Sequence, residues 1–328
     1  MSKDVTMRDI AKKMNLSAVS VSKAISGREG VSEELRAKIL KTADEMGYVY
    51  SSPNEGPSGK NISVMVSEKF FSEDAFYARF FQCLSREFSR HGHLCSLTII
   101  RHEEEREGLL PKNIQTTGID GHIVLGPIGK KIIDALKNTG VPYIFVDNYT
   151  PEPNEDCVVS DNVYGTHVLT DYLIKKGYKK IAFVGSITAT NSIMDRYLGY
   201  IKALLQNGMT VRSDYVLEDR DEEGFLLEVQ MPYNVPDAFV CNSDETAYHL
   251  VEQLKTLGIS VPEDVAVVGF DDYVFATLSR PALTTFRVNM EAMSKAAMDL
   301  MEQKIKEPGK TYGRRVISGE MVIRDSVR

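Results

Sequence analysis

The sequence predicts an α/β fold in which doubly wound parallel sheets follow a small all-α unit. From Asn61 onward, short apolar runs of strand length alternate with helical stretches, as in parallel sheets that helices cover on both faces. Before residue 50, apolar residues recur at the spacing of amphipathic helices. Between these parts, the segment 51–60 (SSPNEGPSGK) is rich in Pro, Gly and Ser and has no apolar residue, so we expect a linker there.

The composition excludes several classes of protein. The 328 residues are 43% hydrophobic and 26% charged, which is ordinary for a soluble chain with two or three domains. No apolar run is long enough to cross a membrane, and the N-terminal MSKDVTMRD lacks the apolar core of a signal peptide. We therefore expect a cytoplasmic protein without a membrane partner. The whole chain has a net charge of −7. Residues 1–60 contain ten Lys/Arg and eight Asp/Glu, so this part has a net charge of +2 and the remainder has −9.

The stretch 5–26 predicts two short helices joined by a tight turn. Thr6 and Ser17 stand where helix N-caps belong, and the turn falls at residues 14–16. Two amphipathic helices joined so closely cross at a steep angle and leave one helix available to enter the major groove of DNA. A small helical hairpin without a DNA role has the same periodicity. A third helix is expected over residues 32–47, with Ser32 as its N-cap and Gly47 as its C-cap.

This N-terminal part resembles the headpiece of the lactose/galactose-repressor family of bacterial transcription regulators. That headpiece begins with Val-Thr-x-x-Asp-(Ile/Val)-Ala, continues with a Val-Ser-x-x-Thr-Val-Ser-(Arg/Lys) recognition helix and closes with a helix from Val-Ser to Gly-Tyr. The matching positions are Val5, Thr6, Asp9, Ile10, Ala11, Ser17, Ser20, Val21, Ser22, Lys23, Val31, Ser32, Gly47 and Tyr48. The resemblance implies a sequence-specific regulator, with repression as the expected direction, whose partner is double-stranded operator DNA.

The start of the recognition helix is the part that faces base edges in such headpieces. We therefore expect Ala18 and Val19 to contact thymine methyl groups and Lys23 to donate to guanine. The other DNA-binding candidates are polar groups suited to phosphates or to helix caps: Thr6, Ser17, Ser20, Ser22 and Tyr48.

The linker departs from the family's pattern. Relatives usually carry Pro-Asn-x-x-Ala-Arg-x-Leu here, a hinge helix whose Leu enters the minor groove. Pro53 and Asn54 match, but Pro57 and Gly59 stand in the region of the Ala, Arg and Leu. A stable hinge helix is therefore not expected, and a sugar sensor with a weakened DNA-binding role remains an alternative function.

Nine short apolar runs predict the strands of the larger part: 61–66, 94–100, 121–126, 141–147, 157–161, 180–185, 215–218, 236–244 and 264–272. Helices are expected at 76–91 and 130–139. The motifs VSDN (159–162) with Gly165, DRYLGY (195–200), CNSDETA (241–247), VVGFDD (267–272), PALTTF (281–286) and GEMVIRDS (319–326) resemble the effector domain of the same family. The resemblance implies a two-lobed, periplasmic-binding-protein-like domain that forms a homodimer.

We accordingly divide the chain into a helix-turn-helix headpiece at 1–50, an atypical linker at 51–60 and an effector domain at 61–328. The chain of such effector domains crosses between the lobes three times, and we place the crossings near residues 161, 284–287 and 312–315. The first lobe then comprises about 61–160 and 286–312, and the second lobe about 161–285 and 313–328.

Polar residues that follow the predicted strands or open helices are the candidates for a small-molecule site between the lobes. The candidates are Asp147, Asp161, Arg196, Ser243 and Asp271, together with Tyr77 from the first helix of the effector domain. Carboxylates and arginine suit a sugar or sugar derivative, because each can bond adjacent hydroxyls. The resemblance points most directly to Arg196 and Asp271. A structural role for Asp161 and a core role for Tyr77 are equally consistent with the sequence, and Asp244 is expected to serve the fold.

An enzyme is the other class of protein to weigh. The chain has no P-loop and no GxGxxG, HExxH or GxSxG motif. His91, His93 and His102 lie near the acidic run EEERE, which favours a solvated face over a metal site. The cysteines form no CxxC pair and fall in or near apolar runs, which indicates reduced thiols: Cys83, Cys95, Cys157 and Cys241. We therefore expect no catalytic residue, metal or cofactor, and a solvated loop at 217–224 (LEDRDEEG).

Overall fold

A computed structural model describes residues 6–25, 30–46, 59–73, 75–114, 118–221 and 224–328. The chain forms two compact units that divide between Lys60 and Asn61. Gly47, Tyr48 and most of the predicted linker lie outside the described residues, so the predictions made for them stay predictions. No helix in the described ranges is long and apolar enough to cross a membrane.

The described part of the first unit has three helices, α1 (Met7–Met14), α2 (Ala18–Ile25) and α3 (Glu33–Glu45). At the start of α1, the N–H and the hydroxyl of Thr6 donate to the Asp9 carboxylate, at 2.9 and 2.6 Å. Asn15 ends α1 in the left-handed conformation, with φ of 53°. The Ser17 hydroxyl accepts the Ser20 N–H at 3.0 Å and caps α2. The predicted helix-turn-helix is therefore confirmed.

The core of the first unit consists of apolar side chains at helical spacing on all three helices. Seven of them are buried: Ile10, Ala11, Val21, Ala24, Ile25, Ile39 and Ala43. Ser32 accepts the Leu35 N–H at 3.4 Å just ahead of α3, as its position in the sequence predicts. Because a local period places these side chains on facing sides of the helices, the sequence pattern is sufficient to predict this core.

The second unit has two lobes, each built on a parallel sheet. The strands of the first lobe are β1 (Asn61–Ser67), β2 (Leu94–Ile100), β3 (Gly121–Leu125), β4 (Tyr143–Val146), β5 (Cys157–Ser160) and β11 (Arg314–Ile317). Their order in the sheet is β11-β5-β4-β3-β1-β2. Helices α5 (Ala75–Arg90) and α12 (Met290–Lys306) pack on one face, and α7 (Lys130–Lys137) packs on the other. Short helices α4 (Glu68–Glu73) and α6 (His102–Glu107) follow β1 and β2.

The sheet of the second lobe is also parallel, and its strands are β6 (Ile181–Val184), β7 (Val216–Leu217), β8 (Ala238–Cys241) and β9 (Ala266–Val268). Their order is β7-β6-β8-β9. Helices α8 (Asn162–Lys175) and α9 (Asn191–Gln206) cover one face, and α10 (Asp244–Thr256) covers the other. A short 3₁₀ turn (Ser213–Tyr215) precedes β7, and α11 (Val274–Leu278) follows β9. Both sheets are therefore covered on two faces, as the alternation of strands and helices predicts.

The lobe boundaries differ from the predicted ones at two crossings. Strand β11 pairs with β5 in the first lobe, so residues 314–317 do not belong to the second lobe as predicted. Strand β10 (Thr285–Arg287) pairs antiparallel with β12 (Glu320–Val322), and isolated bridges join Thr284 and Arg287 to the end of the second-lobe sheet. The second and third crossings therefore follow Arg287 and Ile317, a few residues later than predicted. Crossing segments continue strands of both lobes, so composition does not reveal where a lobe ends.

Candidate functional site

Helix α2 has one side that is buried in the core and one side that is exposed. Val21, Ala24 and Ile25 are buried in the core of the first unit. Ala18, Val19, Ser22 and Lys23 are exposed, and Val19 keeps 65% of its surface accessible although it is apolar. The predicted base-reading residues Ala18, Val19 and Lys23 thus share the outward side of this helix.

The predicted polar DNA contacts have partly structural partners. Ser17 caps α2, and its hydroxyl also lies 2.9 Å from the hydroxyl of Ser20. Thr6 bonds Asp9 at the start of α1. Ser22 is exposed, and Tyr48 lies outside the described residues. The two caps fix the residues at which α1 and α2 begin. Thr6 and Ser17 therefore help to position the exposed side of α2.

The second candidate site is a cavity between the two lobes, which we call the cleft. Five of the six predicted effector residues line it: Tyr77, Asp147, Arg196, Ser243 and Asp271. Its volume is about 80 Å³, whereas pockets that hold small molecules usually measure about 300–1,000 Å³. A second cavity of about 350 Å³ shares Phe70, Thr190 and Arg220 with the cleft, so the space between the lobes extends beyond this cavity. The carboxyl ends of parallel strands lie at the same edge of a sheet, and this explains why residues far apart in sequence meet here.

Asp147 is the most constrained acid in the cleft. It follows β4 in the left-handed conformation, with φ of 57°, and is 7% exposed. The Tyr77 hydroxyl donates to its Oδ2 at 2.9 Å, while Oδ1 has no hydrogen-bond partner among the described residues. Burial raises the pKa of Asp147 to about 6, although the charge of Arg196 and the bond from Tyr77 oppose the rise. A buried acceptor without a partner is suited to a donor that a ligand brings.

Arg196 is held rigidly in α9 by three protein acceptors. Its Nε donates to Asn162 at 2.9 Å, its Nη1 to the carbonyl of Asn242 at 2.5 Å and its Nη2 to Asp271 at 3.1 Å. The guanidinium lies 3.9 Å from the ring centre of Phe270, a stacked position that arginine tolerates well. Three of the five guanidinium donors are thus assigned, and the rigid fork presents the remaining two in a fixed direction.

Ser243 and Asp271 line the cleft from the ends of two second-lobe strands. The Ser243 hydroxyl accepts the Thr246 N–H at 3.1 Å and caps α10. Asp271 has a φ of 110° and binds Arg196 through Oδ1. A position in this part of the backbone map is costly for any residue with a Cβ. The structure therefore holds Asp271 against its conformational preference at the place where it meets Arg196.

Asp161 is the predicted effector residue that the structure does not bring to the cleft. Its carboxylate accepts the Tyr164 N–H at 3.2 Å and caps α8 directly after β5. It is absent from the described lining of the cavity. The strand-end rule applies to its position along the chain, but the side chain is used by the helix that follows. The structure thus shows the structural role that the sequence also allows, while effector contact by Asp161 stays a prediction.

Asp244 and Asp272 serve the fold, as the sequence predicts for Asp244. Asp244 accepts the Thr285 hydroxyl at 2.6 Å and the Tyr273 N–H at 2.9 Å. Burial raises its pKa to about 7 despite these two bonds. Asp272 is bonded by Arg287 and Arg324, at 2.6 and 2.5 Å. Both acids tie the end of β9 to the crossing strands next to the cleft.

Arg220 also lines the cleft, and the sequence reading missed it because the stretch 217–224 was expected to be solvated. Its neighbour Asp219 is 1% exposed and accepts bonds from Arg220 at 3.1 and 2.7 Å, and from Asn242 at 2.6 Å. Burial alone would raise the pKa of Asp219, but these bonds and the charge of Arg220 hold it at about 2. Both residues follow β7, so the rule applied to the other strand ends would have found them.

Aromatic side chains complete the cleft from both lobes. Phe70, Phe76 and Tyr77 come from the first lobe and Tyr273 from the second. The rings of Phe76 and Tyr273 meet edge to face with centres 6.5 Å apart. Tyr77 packs on Gly126, where an added Cβ would come within 2.6 Å of the tyrosine ring. Tyr77 therefore has both a packing contact and a bond to Asp147, and its hydroxyl end belongs to the cleft.

The described residues contain no group of three or more His, Cys, Asp or Glu side chains arranged to hold a metal ion. The four cysteines are unpaired thiols, of which Cys83, Cys157 and Cys241 are buried. Burial raises the pKa of the Cys95 thiol to about 12 and that of Cys157 to about 11. Such thiols are poor nucleophiles at neutral pH, since the thiolate is the reactive form.

Two family models match the chain. Residues 6–51 match the model of bacterial regulatory proteins of the lacI family, and residues 170–327 match that of periplasmic binding protein-like domains. The HTH-type transcriptional repressor CytR of Escherichia coli (strain K12) is 27% identical over 98% of this chain and 96% of its own. The ribose operon repressor of Haemophilus influenzae is 24% identical over 98% of both chains.

Two solved structures extend the comparison. A complex of the transcriptional regulator CelR with cellobiose aligns over 98% of this chain and 99% of its own, with a TM-score of 0.70 and 25% identity. The lac repressor dimer bound to operator and the anti-inducer ONPF aligns over 99% of both chains, with a TM-score of 0.71. At 19% identity the second likeness supports the fold alone.

Proposed function

Since the chain belongs to the LacI family of bacterial regulatory proteins, we propose that it binds operator DNA as a homodimer under the control of a small molecule held in the cleft. It is a transcriptional repressor of that family with a ligand-binding domain, and its relatives are repressors rather than enzymes. The proposal rests on the combination of two features in one chain. One is the exposed side of α2, and the other is a polar cleft in which Asp147 Oδ1 has no hydrogen-bond partner among the described residues.

On the DNA side, α2 enters the major groove and its exposed side chains read the bases. Ala18 and Val19 contact thymine methyl groups, and Lys23 donates to guanine O6 and N7. Ser17, Ser20, Ser22, Thr6 and Tyr48 bind or position phosphates. The 65% exposure of Val19 supports this arrangement, because an apolar side chain gains by being covered in the groove. Dimerisation places two copies of α2 on the half-sites of a pseudo-palindromic operator.

On the effector side, the ligand is a sugar or a sugar derivative. Asp147 Oδ1 accepts a ligand hydroxyl, Arg196 donates through its remaining N–H groups, and Asp271 and Ser243 complete the polar wall. Tyr77 orients Asp147 by its bond to Oδ2. Two similar proteins are associated with sugars, CelR in its complex with cellobiose and the ribose operon repressor of Haemophilus influenzae, and they support this class of ligand. The effector changes the arrangement of the lobes and thereby the spacing of the two headpieces.

A binding selection with the variant Lys23→Ala tests the DNA side. The full-length protein is offered a random duplex library, and the bound sequences are compared with those of the wild type. We expect the preference for guanine to be lost at one position in each half-site, at a cost of about 1–3 kcal/mol for the correct base. Affinity for a small-molecule effector is expected to stay unchanged.

Lys38→Ala is the matched control for this selection. Lys38 is an exposed lysine of the same unit that pairs with Glu34 at 2.9 Å in α3, so its loss changes the charge equally without touching α2. An unchanged sequence preference in Lys23→Ala would overturn the assignment of that residue. Absence of sequence-specific binding by the wild type would favour the alternative of a sugar sensor without a DNA role.

Titration calorimetry of the full chain against a panel of sugars tests the effector side. The panel includes cellobiose, ribose and the common hexoses, together with nucleosides as a separate class. We expect saturable heat from at least one sugar, and loss of that heat on Asp271→Asn because the variant no longer holds Arg196 by an ion pair. Cooperative unfolding of the same sample shows that the protein is folded. If nucleosides alone then give binding heat, the proposed sugar class is contradicted.

A further inference from the structure

A polar cluster outside the cleft connects the two lobes directly, and it consists of Tyr149, Asp195 and Arg314. Tyr149 follows β4, and Arg314 is the first residue of β11, so both belong to the first lobe. Asp195 lies in the first turns of α9, in the second lobe. None of the three lines the cleft among its described residues. Any movement that separates the lobes at this point must break the cluster.

Both oxygens of the Asp195 carboxylate are used in this contact. The Tyr149 hydroxyl donates to Oδ1 at 3.0 Å, and Arg314 Nη2 donates to Oδ2 at 3.2 Å. The Arg314 guanidinium also stacks on the Tyr149 ring, with its carbon 4.2 Å from the ring centre. Asp195 is 7% exposed. Burial, followed by the charge of Asp195, raises the pKa of the Tyr149 hydroxyl.

Burial decides how much such a cluster contributes. The Arg314 side chain is 40% exposed, and an exposed ion pair on its own contributes little because water and salt screen it. The carboxylate of Asp195 is different, since it is buried with both oxygens bonded to first-lobe groups. If the lobes separate, this carboxylate loses both partners together, and the loss is offset only by rehydration.

A neighbouring contact acts in the same direction. The side-chain amide of Asn191 donates to the Tyr149 carbonyl at 2.6 Å and to Asn148 Oδ1 at 3.3 Å. Asn191 is the first residue of α9, so the first turns of that helix hold the segment after β4 at two points. Asp147 lies two residues before Tyr149, and Arg196 directly follows Asp195. The cluster therefore controls the separation between two residues that face the cleft from opposite lobes.

We propose that Tyr149, Asp195 and Arg314 form a latch that holds the two lobes together. The latch uses only groups of the protein, so it holds the lobes by contacts that do not involve a ligand. Asp195 acts as a positioning residue, because it touches the opposite lobe and sets the place of Arg196.

The effect of the latch on regulation rests on the proposed function. If only the open form admits the effector, the apparent affinity falls in proportion to the fraction of molecules that are open. A stronger latch then lowers sensitivity to the effector without any change in the residues that contact it. The latch itself does not depend on the identity of the effector, so it is tested without one.

Hydrogen exchange followed by mass spectrometry on the full-length, effector-free protein measures the latch. In the variant Asp195→Ala, we expect peptides covering residues 147–153 and 187–193 to exchange about tenfold faster than in the wild type. A tenfold change corresponds to about 1.4 kcal/mol of opening free energy. Peptides from β1 and β6, inside each sheet, are expected to exchange as in the wild type, because the lobes themselves stay folded.

Asp214→Ala is the matched control, because Arg212 and Asp214 repeat the chemistry of the latch within one lobe. Arg212 donates to Asp214 at 3.0 and 2.5 Å and stacks on the Tyr215 ring at 4.3 Å. Loss of this pair is expected to leave the exchange of residues 147–153 and 187–193 unchanged. Equal acceleration in both variants would mean that general loosening is the cause and would overturn the latch.

Tyr149→Phe keeps the proposal testable if Asp195→Ala does not fold. This variant removes one hydroxyl and retains the ring under Arg314, so we expect a smaller acceleration of the same two segments. Wild-type exchange in both segments of Tyr149→Phe and Asp195→Ala would contradict the proposal. If no sugar of the panel binds, the exchange result for the latch still stands. If the exchange is unchanged in both variants, the proposed effector residues still stand. The failure of one proposal is therefore distinguishable from the failure of the other.

Discussion

Asp147 combines three energetically unfavourable features. It has a positive φ of 57°, it is buried, and Oδ1 has no partner among the described residues. Each feature costs free energy in the unliganded protein. A ligand hydroxyl would satisfy the acceptor and remove part of that cost. Residues of this kind are those at which stability and binding oppose each other.

Asp147→Asn is expected to stabilise the protein at neutral pH and to weaken effector binding at least tenfold. Asparagine tolerates a positive φ and carries no buried charge. The folded-state pKa of about 6 lies above the ordinary value of 3.8, so the wild type takes up a proton on folding between pH 6 and 4. The wild type therefore gains stability relative to the variant as the pH falls through this window, and the variant is more stable above pH 6, by about 3 kcal/mol.

Denaturant unfolding of both proteins at pH 5, 6 and 8 measures this difference. Asp244, whose pKa is also raised, titrates equally in the two proteins and cancels from the comparison. Parallel stability profiles over this range would show that Asp147 does not carry a buried charge. Binding is measured by calorimetry with the sugar that the panel identifies.

At the scale of elements, the contact between α8 and α9 sets the position of the cleft residues on the second lobe. Gly199 of α9 lies directly against α8, where an added Cβ would be 2.3 Å from the carbonyl oxygen of Val163. The contact is with backbone and not with the end of a flexible side chain. A larger residue must therefore push the two helices apart, and α9 carries both Asp195 and Arg196.

Gly199→Ala is expected to lower the free energy of unfolding by about 2 kcal/mol, within the usual cost of overpacking. The higher helix propensity of alanine, worth about 1 kcal/mol, opposes this loss. Gly309→Ala is the control, since its added Cβ meets no atom within 4 Å. Urea unfolding followed by circular dichroism measures both variants. An equal or greater stability of Gly199→Ala would show that the helices can separate without cost.

The first unit behaves differently at this scale, because its elements are short and local. Each of its helices begins at a polar residue visible in the sequence, and its core repeats at helical spacing. The exposed side of α2 follows from the same period, since the residues that do not enter the core must face outward. Local chemistry therefore accounts for both the fold and the surface of this unit.

At the scale of the whole molecule, coupling between DNA and effector must be reciprocal. Saturating operator is expected to shift effector affinity by the same factor by which saturating effector shifts operator affinity, typically about 5–150-fold. Calorimetry with and without an operator duplex measures one side, and a DNA-binding titration with and without effector measures the other. Unequal factors would contradict the two-state mechanism, and unchanged affinities would remove the allosteric part of the proposal.

The amino-acid pattern predicts the class of the fold, the helix-turn-helix and five residues of the cleft. Period and capping predict the helices of the first unit, and alternating apolar runs predict two covered parallel sheets. The placement of polar residues after strands and at helix starts predicts that Asp147, Arg196, Ser243 and Asp271 meet, and the family resemblance adds Tyr77. These features are predictable because each depends on a few neighbouring residues, or on a rule that holds for every parallel sheet.

The partners of each polar group follow from contacts between distant parts of the folded chain. Asp161 follows a strand like the other acids, but α8 uses its carboxylate as a cap. Arg220 stands in an acidic stretch that looks solvated, yet it lines the cleft. The latch joins residues 149, 195 and 314, and no local pattern relates them. The partner of a buried charge is set by contacts across the lobes, and sequence spacing carries no information about those contacts.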